Sequence, residues 1–268
     1  MRKFYHSAKG KRLILFSFLK KYLSQLFQKL HLLIEFRSCK KETSTTNQES
    51  TINNEEINFN CSGTAIGKFG NDVTDVEDNK YKTVFIGKQQ WFAENLKVTM
   101  YNDKAPITNI VHFSDYLKDS IWRKNTDPAW CYLENMSKNK YLGLLYNFYV
   151  IDNGLQKNAC PVGWRVPNND DWNELINYLG GKEIAGDKLK EIGDKHWYSG
   201  NLGTNTSLFT AFPVEGNKDG YWWSNSDGYK DFNKNYKSYL SLDRAKSSAS
   251  LGPDADKNDA LPIRCIKD

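Results

Sequence analysis

The chain has 268 residues, enough for one domain of ordinary size with a leader and a linker. Its net charge of +5 originates at one end, since residues 1–38 hold nine Lys or Arg and one Glu. The remaining residues carry 28 positive and 31 negative side chains. A basic surface for nucleic acid would have to lie in this slightly acidic remainder, so the composition argues against a nucleic-acid partner.

Residues 1–38 have the outline of an export signal. Several basic residues come first, followed by the apolar run 13–19 and a second apolar stretch, 23–36, with polar interruptions. A positive start followed by apolar sequence is typical of a signal peptide, and the run is too short for a membrane-spanning helix. We therefore predict a leader and an exported protein at the outer membrane or cell surface. A basic amphipathic helix and a misassigned start of the reading frame are the alternatives.

Cys39 follows this leader in a context that resembles the start of bacterial lipoproteins, where a cysteine becomes the lipidated first residue. We expect lipidation at Cys39 and a membrane anchor, although Glu35 and Arg37 stand where small or apolar residues usually precede such a cysteine. The stretch 39–60 is polar and can bury too little to fold, which predicts a flexible tether. The folded domain is predicted at 61–268.

The first half of this domain predicts strands and then loops. Asp78 and Asn79 favour the turn of a hairpin over 73–86, and the next turn leads into a strand at 91–96. Glu94 has no carboxylate partner nearby in sequence, so we expect it to bond backbone. Residues 101–140 are rich in Asn, Asp and Lys and predict surface loops. The apolar, aromatic segment 141–151 predicts a buried helix or strand.

The stretch 160–181 predicts a turn, a short extended run and a helix. Pro167 keeps the residue before it extended, and Asn168 or Asn169 can cap a helix that two following aspartates favour. The apolar residues of this helix recur at helical spacing, and a glycine pair ends it; these residues are Trp172, Leu175, Ile176, Leu179, Gly180 and Gly181.

The rest of the domain predicts a second short helix and further strands. The helix is expected at 187–192, and alternating sequence predicts strands at 209–214, 221–224 and 236–242, with 261–266 closing the sheet. Several short strands, two helices and much loop indicate an α+β fold with an antiparallel sheet.

The five cysteines form no C-x-x-C pair, and the four histidines stand apart, so local spacing predicts no zinc site. Cys160 and Cys265 flank most of the second half and suggest a tie between its ends. Such a bond would close a loop of about 100 residues, worth roughly 4–5 kcal/mol in the chain-entropy model. It would persist in an oxidising compartment; two buried thiols are the alternative. Cys131 is either free or bonded to Cys61.

Three stretches carry a resemblance to a known family. They are C-P-V-G-W-R-V-P-N-N-D-D-W-N-E-L from Cys160, I-R-C-I-K-D at the end, and V-F-I-G-K-Q-Q-W-F-A-E-N-L-K from Val84. Together they resemble the Fibrobacter succinogenes major paralogous domain, over roughly residues 72–268. The family occurs in secreted and surface lipoproteins and is similar to the C-type lectin-like fold. The resemblance implies a loop-rich α+β domain with about two helices.

The candidate ligand-binding residues lie where C-type lectin-like folds present ligands. Aromatic faces pack on sugars, while Asn and Asp supply hydrogen bonds. We expect one of the paired tryptophans to point into the core and the other to the surface. The candidates are Trp222, Trp223, Asn225, Asp227, Tyr229 and Tyr236. The calcium-binding triplets of calcium-dependent lectins are missing. Asp254 and Asp256 could hold a structural calcium, but solvated charge is favoured and no cofactor is predicted.

These observations favour a non-catalytic, surface-tethered lipoprotein with a binding or adhesion domain for a glycan or a protein. A structural surface component that assembles with itself or its neighbours is the alternative. An enzyme similar to the formylglycine-generating enzymes is disfavoured, because these use paired cysteines near the C-terminus and Cys265 is the only cysteine after Cys160.

Overall fold

A computed structural model describes residues 65–111, 120–152, 157–197, 199–213, 219–231 and 234–268. Residues 65–268 form one compact unit. The predicted leader, Cys39, the tether and Cys61 lie outside the described residues. Within the described part, no helix is both long and apolar enough to cross a membrane.

Short strands make up most of the regular structure. In chain order they are β1 (Gly67–Phe69), β2 (Val73–Thr74), β3 (Lys80–Tyr81), β4 (Thr83–Ile86), β5 (Gln89–Phe92), β6 (Thr108–Asn109), β7 (Ala129–Tyr132), β8 (Leu144–Tyr146), β9 (Trp164–Arg165), β10 (Gly220–Asp231), β11 (Lys234–Leu242), β12 (Ala249–Ala255) and β13 (Ile266–Lys267). The α-helices are α1 (Ser120–Lys124), α2 (Asn169–Tyr178) and α3 (Ala185–Leu189). The 3₁₀ turns are Leu133–Asn135, Ser137–Leu142 and Phe148–Val150. The predicted loop-rich α+β class is confirmed.

The strands form two larger antiparallel sheets and two small ones. The main sheet has the order β1-β4-β5-β13-β9, and the second has the order β10-β11-β12. Strands β2 and β3 form a hairpin, as predicted, with Asp78 in the left-handed region at φ 61°. Strands β6, β7 and β8 form the last sheet, in which β6 and β7 are parallel.

The end of the chain lies inside the main sheet. Ile266 of β13 pairs with Trp91 of β5 on one side and with Arg165 of β9 on the other. Beside this strand, Cys265 is disulfide-bonded to Cys160, 105 residues earlier. Both cysteines are fully buried, so the predicted tie is confirmed and belongs to the hydrophobic core.

Helix α2 begins and ends on the predicted residues. The Asn168 side chain accepts from the Asp171 backbone N–H at 2.9 Å, and the Asp171 carboxylate accepts from the Asn168 N–H at 2.7 Å. This is a reciprocal cap. Gly180, at φ 100°, follows the last turn. The four predicted apolar residues are all buried, which anchors one face of the helix in the core.

Two hydrophobic cores lie on opposite sides of the main sheet and strand β10. The first contains Phe92, Trp164 and Trp223 with the disulfide, and the second contains Trp91 and Trp222 with the apolar face of α2. Trp91 stacks on Trp172 with ring centroids 4.6 Å apart. The high aromatic content therefore serves mainly to fill a core built from few regular elements.

Several predicted elements have other bounds in the structure: the second helix is Ala185–Leu189 instead of 187–192, the strand predicted at 91–96 ends at Phe92, and the closing strand begins only at Ile266. Two further predictions are wrong. Residues 101–140 are not all surface, because Trp122 is fully buried and donates to the Asn258 carbonyl at 2.6 Å. Residues 209–213 form no strand; Thr210 has φ 53°, which breaks the extended backbone. The Phe209 carbonyl accepts instead from Arg264 at 2.7 Å.

Candidate functional site

The six predicted ligand-binding residues lie on one β-hairpin formed by β10 and β11. Five of them are on β10, and Tyr236 is on β11. The two strands pair antiparallel from Gly220↔Leu242 to Asp231↔Lys234. The hairpin therefore runs from the core, where β10 carries its tryptophans, to an outer end, here called the tip, that carries Tyr229 and Tyr236.

Both tryptophans of the hairpin are fully buried, so the expectation that one of them faces solvent is wrong. Trp222 enters the second core and donates its indole N–H to Asn95 Oδ1 at 2.8 Å. Trp223 enters the first core and donates to the Tyr146 carbonyl at 2.7 Å. Alternate residues point to opposite faces, and here both faces of the strand are covered. Neither ring offers a face to a ligand.

Beyond the tryptophans, β10 changes register against β11. The pairs Trp223↔Tyr239, Asp227↔Lys237 and Lys230↔Asn235 are separated by two register shifts. Each shift inserts extra residues in β10, as in a β-bulge, which twists the strand and re-aims its side chains. The strand therefore passes from complete burial at Trp223 to exposure at Asp227.

The tip of the hairpin presents a pair of tyrosines. The rings of Tyr229 and Tyr236 have centroids 4.6 Å apart and planes inclined at 41°. Tyr229 is 49% exposed, and Tyr236 is half-buried. Because each ring restricts the motion of the other, the two side chains would lose little conformational entropy when a ligand packs on them.

A lysine and an aspartate form an ion pair across the same hairpin. Lys237 Nζ is 2.5 Å from Asp227 Oδ1, and this hydrogen bond with the lysine charge holds the pKa of Asp227 below its usual range. The same ammonium lies 4.4 Å from the centre of the Phe148 ring, and Lys257 lies 5.4 Å from the centre of the Tyr149 ring. The Lys237 ammonium is thus held between the Asp227 carboxylate and the Phe148 ring, while the Asp227 carboxylate remains exposed.

The base of the hairpin is fixed to the start of α2 by Asn169. Its Oδ1 accepts from Ser224 Oγ at 2.7 Å, its Nδ2 donates to Ser238 Oγ at 3.2 Å, and its backbone N–H donates to Ser226 Oγ at 3.0 Å. Asn225 also contributes its backbone N–H, which donates to the Pro167 carbonyl at 2.7 Å. The sequence favours Asn169 only as a helix cap and carries no signal for its bonds to the hairpin.

The acidic loop considered for calcium uses its carboxylates within the protein. Asp254 accepts from the Tyr239 hydroxyl at 2.8 Å, and Asp256 Oδ1 accepts from the Asn258 N–H at 3.3 Å. Among the residues that the structure describes, no group of three or more His, Cys, Asp or Glu side chains could hold a metal ion.

One cluster outside the hairpin combines acid, base and hydroxyl groups. His196 Nδ1 lies 2.8 Å from Glu191 Oε2, and His196 Nε2 lies 3.3 Å from the Tyr141 hydroxyl. The Phe212 ring packs edge-on against the imidazole at 4.9 Å. Glu94, by contrast, accepts from the Lys82 backbone N–H at 3.1 Å, as predicted.

The two cysteines in the second half of the chain are bonded to each other, so neither is a free thiol. Cys265 is bonded to Cys160 in the first core, and both sulfurs are buried. Cys131 is also buried, and Cys61 lies outside the described residues. The disulfide thus has a structural role.

Comparison with known proteins agrees with the resemblance found in the sequence. The model of the Fibrobacter succinogenes major domain matches residues 84–267, which is more than half of the chain and runs from β4 to β13. No curated protein and no solved structure matches. The matched segment includes the disulfide, α2 and the β10–β11 hairpin. The chain therefore belongs to the Fibrobacter succinogenes major domain family.

Proposed function

We propose that this protein is a non-catalytic binding or adhesion module, held at a bacterial surface by a lipid on Cys39. Its ligand is a glycan or a protein, bound at the tip of the β10–β11 hairpin. The observation that carries the proposal is the Tyr229–Tyr236 pair, an aromatic surface open to solvent on a hairpin whose two tryptophans are fully buried.

Three properties of the hairpin support this proposal. Tyrosine supplies a large apolar face with a polar tip, which suits both sugar rings and protein surfaces. The exposed Asp227 carboxylate, which is paired with Lys237, adds a hydrogen-bond acceptor on the same hairpin. The bonds of Asn169 hold the base of the hairpin, so little conformational freedom is lost when a ligand binds.

The non-catalytic part of the proposal is supported by the use of Cys265 in a disulfide, which removes the thiol that an oxidase on this fold would need. The Glu191–His196–Tyr141 cluster is the arrangement that an enzymatic alternative would use. A hydrolytic activity that is lost in His196→Ala would overturn the non-catalytic assignment.

The anchor is a proposal from the sequence: the basic and apolar leader, followed by Cys39 and a polar tether, is arranged as in surface lipoproteins. We expect the wild-type protein to incorporate labelled palmitate and to fractionate with membranes. Cys39→Ala should lose the label and become soluble after cell lysis. Retention of the label in Cys39→Ala would exclude this cysteine as the lipid site.

A glycan array tests the ligand class, with the full-length protein in its oxidised form and with or without a calcium chelator. Binding to a defined sugar class should weaken at least about tenfold in Tyr229→Ala and in Tyr236→Ala. Tyr141→Ala, which removes a 59% exposed tyrosine elsewhere, is the matched control and should bind normally.

The remaining outcomes of this experiment separate the alternatives. No binding across the array by a folded protein would exclude simple sugar recognition and favour a protein ligand. Self-association that persists in Tyr229→Ala would favour the structural surface component instead. The buried tryptophans are unsuitable for this test, because truncating either one would unfold the protein before it reported on a ligand.

A further inference from the structure

The outward face of α2 lines a concave surface that extends from the first turn of the helix to its last residue. A groove of about 700 Å³ lies between this face and the turn from β4 to β5. Its volume falls within the range of about 300–1,000 Å³ that is common for small-molecule sites. We name it the helix groove and define it by six side chains: Lys88, Asp170, Asn173, Glu174, Asn177 and Tyr178.

Helical periodicity places five of these side chains together. Positions 170, 173, 174, 177 and 178 share one face of an α-helix, while Trp172 and Leu175 lie on the opposite face in the second core. A polar outer face is ordinary for an amphipathic helix. The additional features here are a concave shape and an aromatic ring at one end.

The ring of Tyr178 is held against the turn between β4 and β5. Gly87 forms this turn at φ +64°, and a Cβ atom at Gly87 would lie only 2.8 Å from Tyr178 Cδ2. The absence of a side chain at Gly87 therefore admits the ring, which remains 53% exposed. The groove thus contains a positioned aromatic surface that is open to solvent.

The polar groups of the helix groove have unused hydrogen-bonding capacity. In the described part of the chain, the side chains of Asp170, Asn173, Glu174 and Asn177 form no hydrogen bond or ion pair. The two asparagines just before them differ, since Asn168 caps the helix and Asn169 bonds the hairpin. Two amides and two carboxylates thus remain available to a ligand.

We propose that the helix groove binds an uncharged sugar unit of a glycan, with Tyr178 against the apolar face of the sugar ring. The amides of Asn173 and Asn177 both donate and accept, and the carboxylates of Asp170 and Glu174 accept from hydroxyls. Two carboxylates against one lysine disfavour uronic acids and sulfated sugars. This proposal rests on the groove alone and stands whether or not the hairpin tip binds a ligand.

Nuclear magnetic resonance of the isotope-labelled full-length protein tests the proposal directly. The probes are cellotetraose, xylotetraose and mannotetraose, with trigalacturonate as the anionic comparison. At least one neutral tetrasaccharide should shift the backbone amide signals of residues 86–88 and 170–178. Tyr178→Ala should lower its affinity about tenfold or more, whereas Tyr178→Phe, which keeps the ring, should stay within about twofold.

Control variants separate this site from the hairpin. In Tyr229→Ala, which disables the hairpin site, the neutral probe should still shift the amide signals of residues 86–88 and 170–178. Tyr141→Ala, which changes a residue outside both sites, should bind the neutral probe as the wild type does. The proposal is overturned if no neutral probe binds at about 10 mM, if Tyr178→Ala binds normally, or if the shifts are confined to residues 227–237. Tighter binding of trigalacturonate would overturn the assignment to uncharged sugars.

Discussion

Arg264 and Asn95, which are 169 residues apart in sequence, are joined by a buried hydrogen bond of 3.0 Å from Nε to Oδ1. The same oxygen accepts from Trp222 at 2.8 Å, and the amide Nδ2 donates to the Leu142 carbonyl at 2.9 Å. One asparagine thus connects the segment after β5, the end of the chain and the hairpin that carries the candidate site.

The Arg264 guanidinium is completely buried, and the one carboxylate that acts on its charge in the described part of the chain, Glu94, forms no ion pair with it. Burial lowers its pKa to about 9, so it stays charged at neutral pH. The Phe209 carbonyl accepts from it at 2.7 Å, and its centre lies 4.3 Å from the Phe209 ring centroid. Hydrogen bonds and a ring face replace a carboxylate here, which makes each remaining partner energetically important.

Asn95→Leu is therefore expected to destabilise the protein by about 3–5 kcal/mol, because it leaves Arg264 Nε and the Trp222 indole N–H buried without an acceptor. Urea unfolding of the oxidised protein measures this cost. Asn139→Leu is the control, since it removes the two hydrogen bonds of a half-buried amide, to the Leu133 carbonyl and to the exposed Glu134 carboxylate, and should cost about 1 kcal/mol. Equal costs for the two variants would contradict the connecting role of Asn95.

The disulfide gives a second prediction. Removing it in Cys160→Ala/Cys265→Ala should lower the free energy of unfolding by about 4–5 kcal/mol, because the unfolded chain then loses a constraint across 105 residues. Wild-type protein unfolded in a strong reductant should approach the stability of the double variant. If the reductant left wild-type stability unchanged, the bond would contribute nothing in solution.

Local signals in the sequence were sufficient for α2 but not for the hairpin. The cap at Asn168, the apolar spacing and the glycine stop are all encoded within a few residues of the helix, and each was predicted. The burial of both Trp222 and Trp223 depends on cores that cover the two faces of β10. The segments that cover the two faces are distant in sequence, so the local alternation of β10 does not predict that both faces are buried.

The same contrast explains the other errors. The alternation at 209–214 indicates a strand, but Arg264 takes the Phe209 carbonyl and Asn205 Oδ1 accepts from the Thr210 N–H at 2.8 Å. The register shifts in β10 have no signal in a single sequence, although they bring Asp227 and Tyr229 to the surface. The helix groove has no signal in the sequence, because Tyr178 and the polar residues before it follow the pattern of an ordinary exposed helix face.

Stability at alkaline pH should depend on buried tyrosines, and Tyr146 provides the test. Burial raises the pKa of this fully buried hydroxyl well above its ordinary value, and the hydroxyl donates to the Val98 carbonyl at 2.8 Å. The folded state therefore keeps the proton above pH 10, where the unfolded state releases it. This contribution to stability is complete below about pH 10 and decreases as pH rises.

Tyr146→Phe should remove this pH dependence. Above pH 10 the stability of the wild type should fall more steeply than that of the variant, by about 1.4 kcal/mol per pH unit. At pH 8 the variant should be less stable by about 1 kcal/mol, because the Val98 carbonyl loses its donor. Urea unfolding between pH 8 and pH 11 measures both effects, and parallel curves would show that Tyr146 ionises normally in the folded protein.

Stability at acid pH should depend on Asp171, which caps α2 and bonds Arg165. Burial alone would raise the pKa of this carboxyl. The hydrogen bonds from Arg165 at 2.6 and 2.8 Å and from the Asn168 N–H outweigh burial, so the net pKa lies below the usual value. A lowered pKa adds stability that is present above the unfolded value, near pH 4. That stability is lost as pH falls through the folded value.

Asp171→Asn should thus cost about 1–2 kcal/mol at pH 7, discounted for the partial exposure of Arg165, and progressively less below pH 4. Asp170→Asn, at the next position, is the control; it loses only a favourable charge at the helix start and should cost about 0.5 kcal/mol. Urea unfolding from pH 2.5 to pH 7 compares the two. If Asp171→Asn lowered the free energy of unfolding by the same amount at every pH in this range, the shape of the cap would explain the loss. The charge of the carboxylate would then be excluded as its cause.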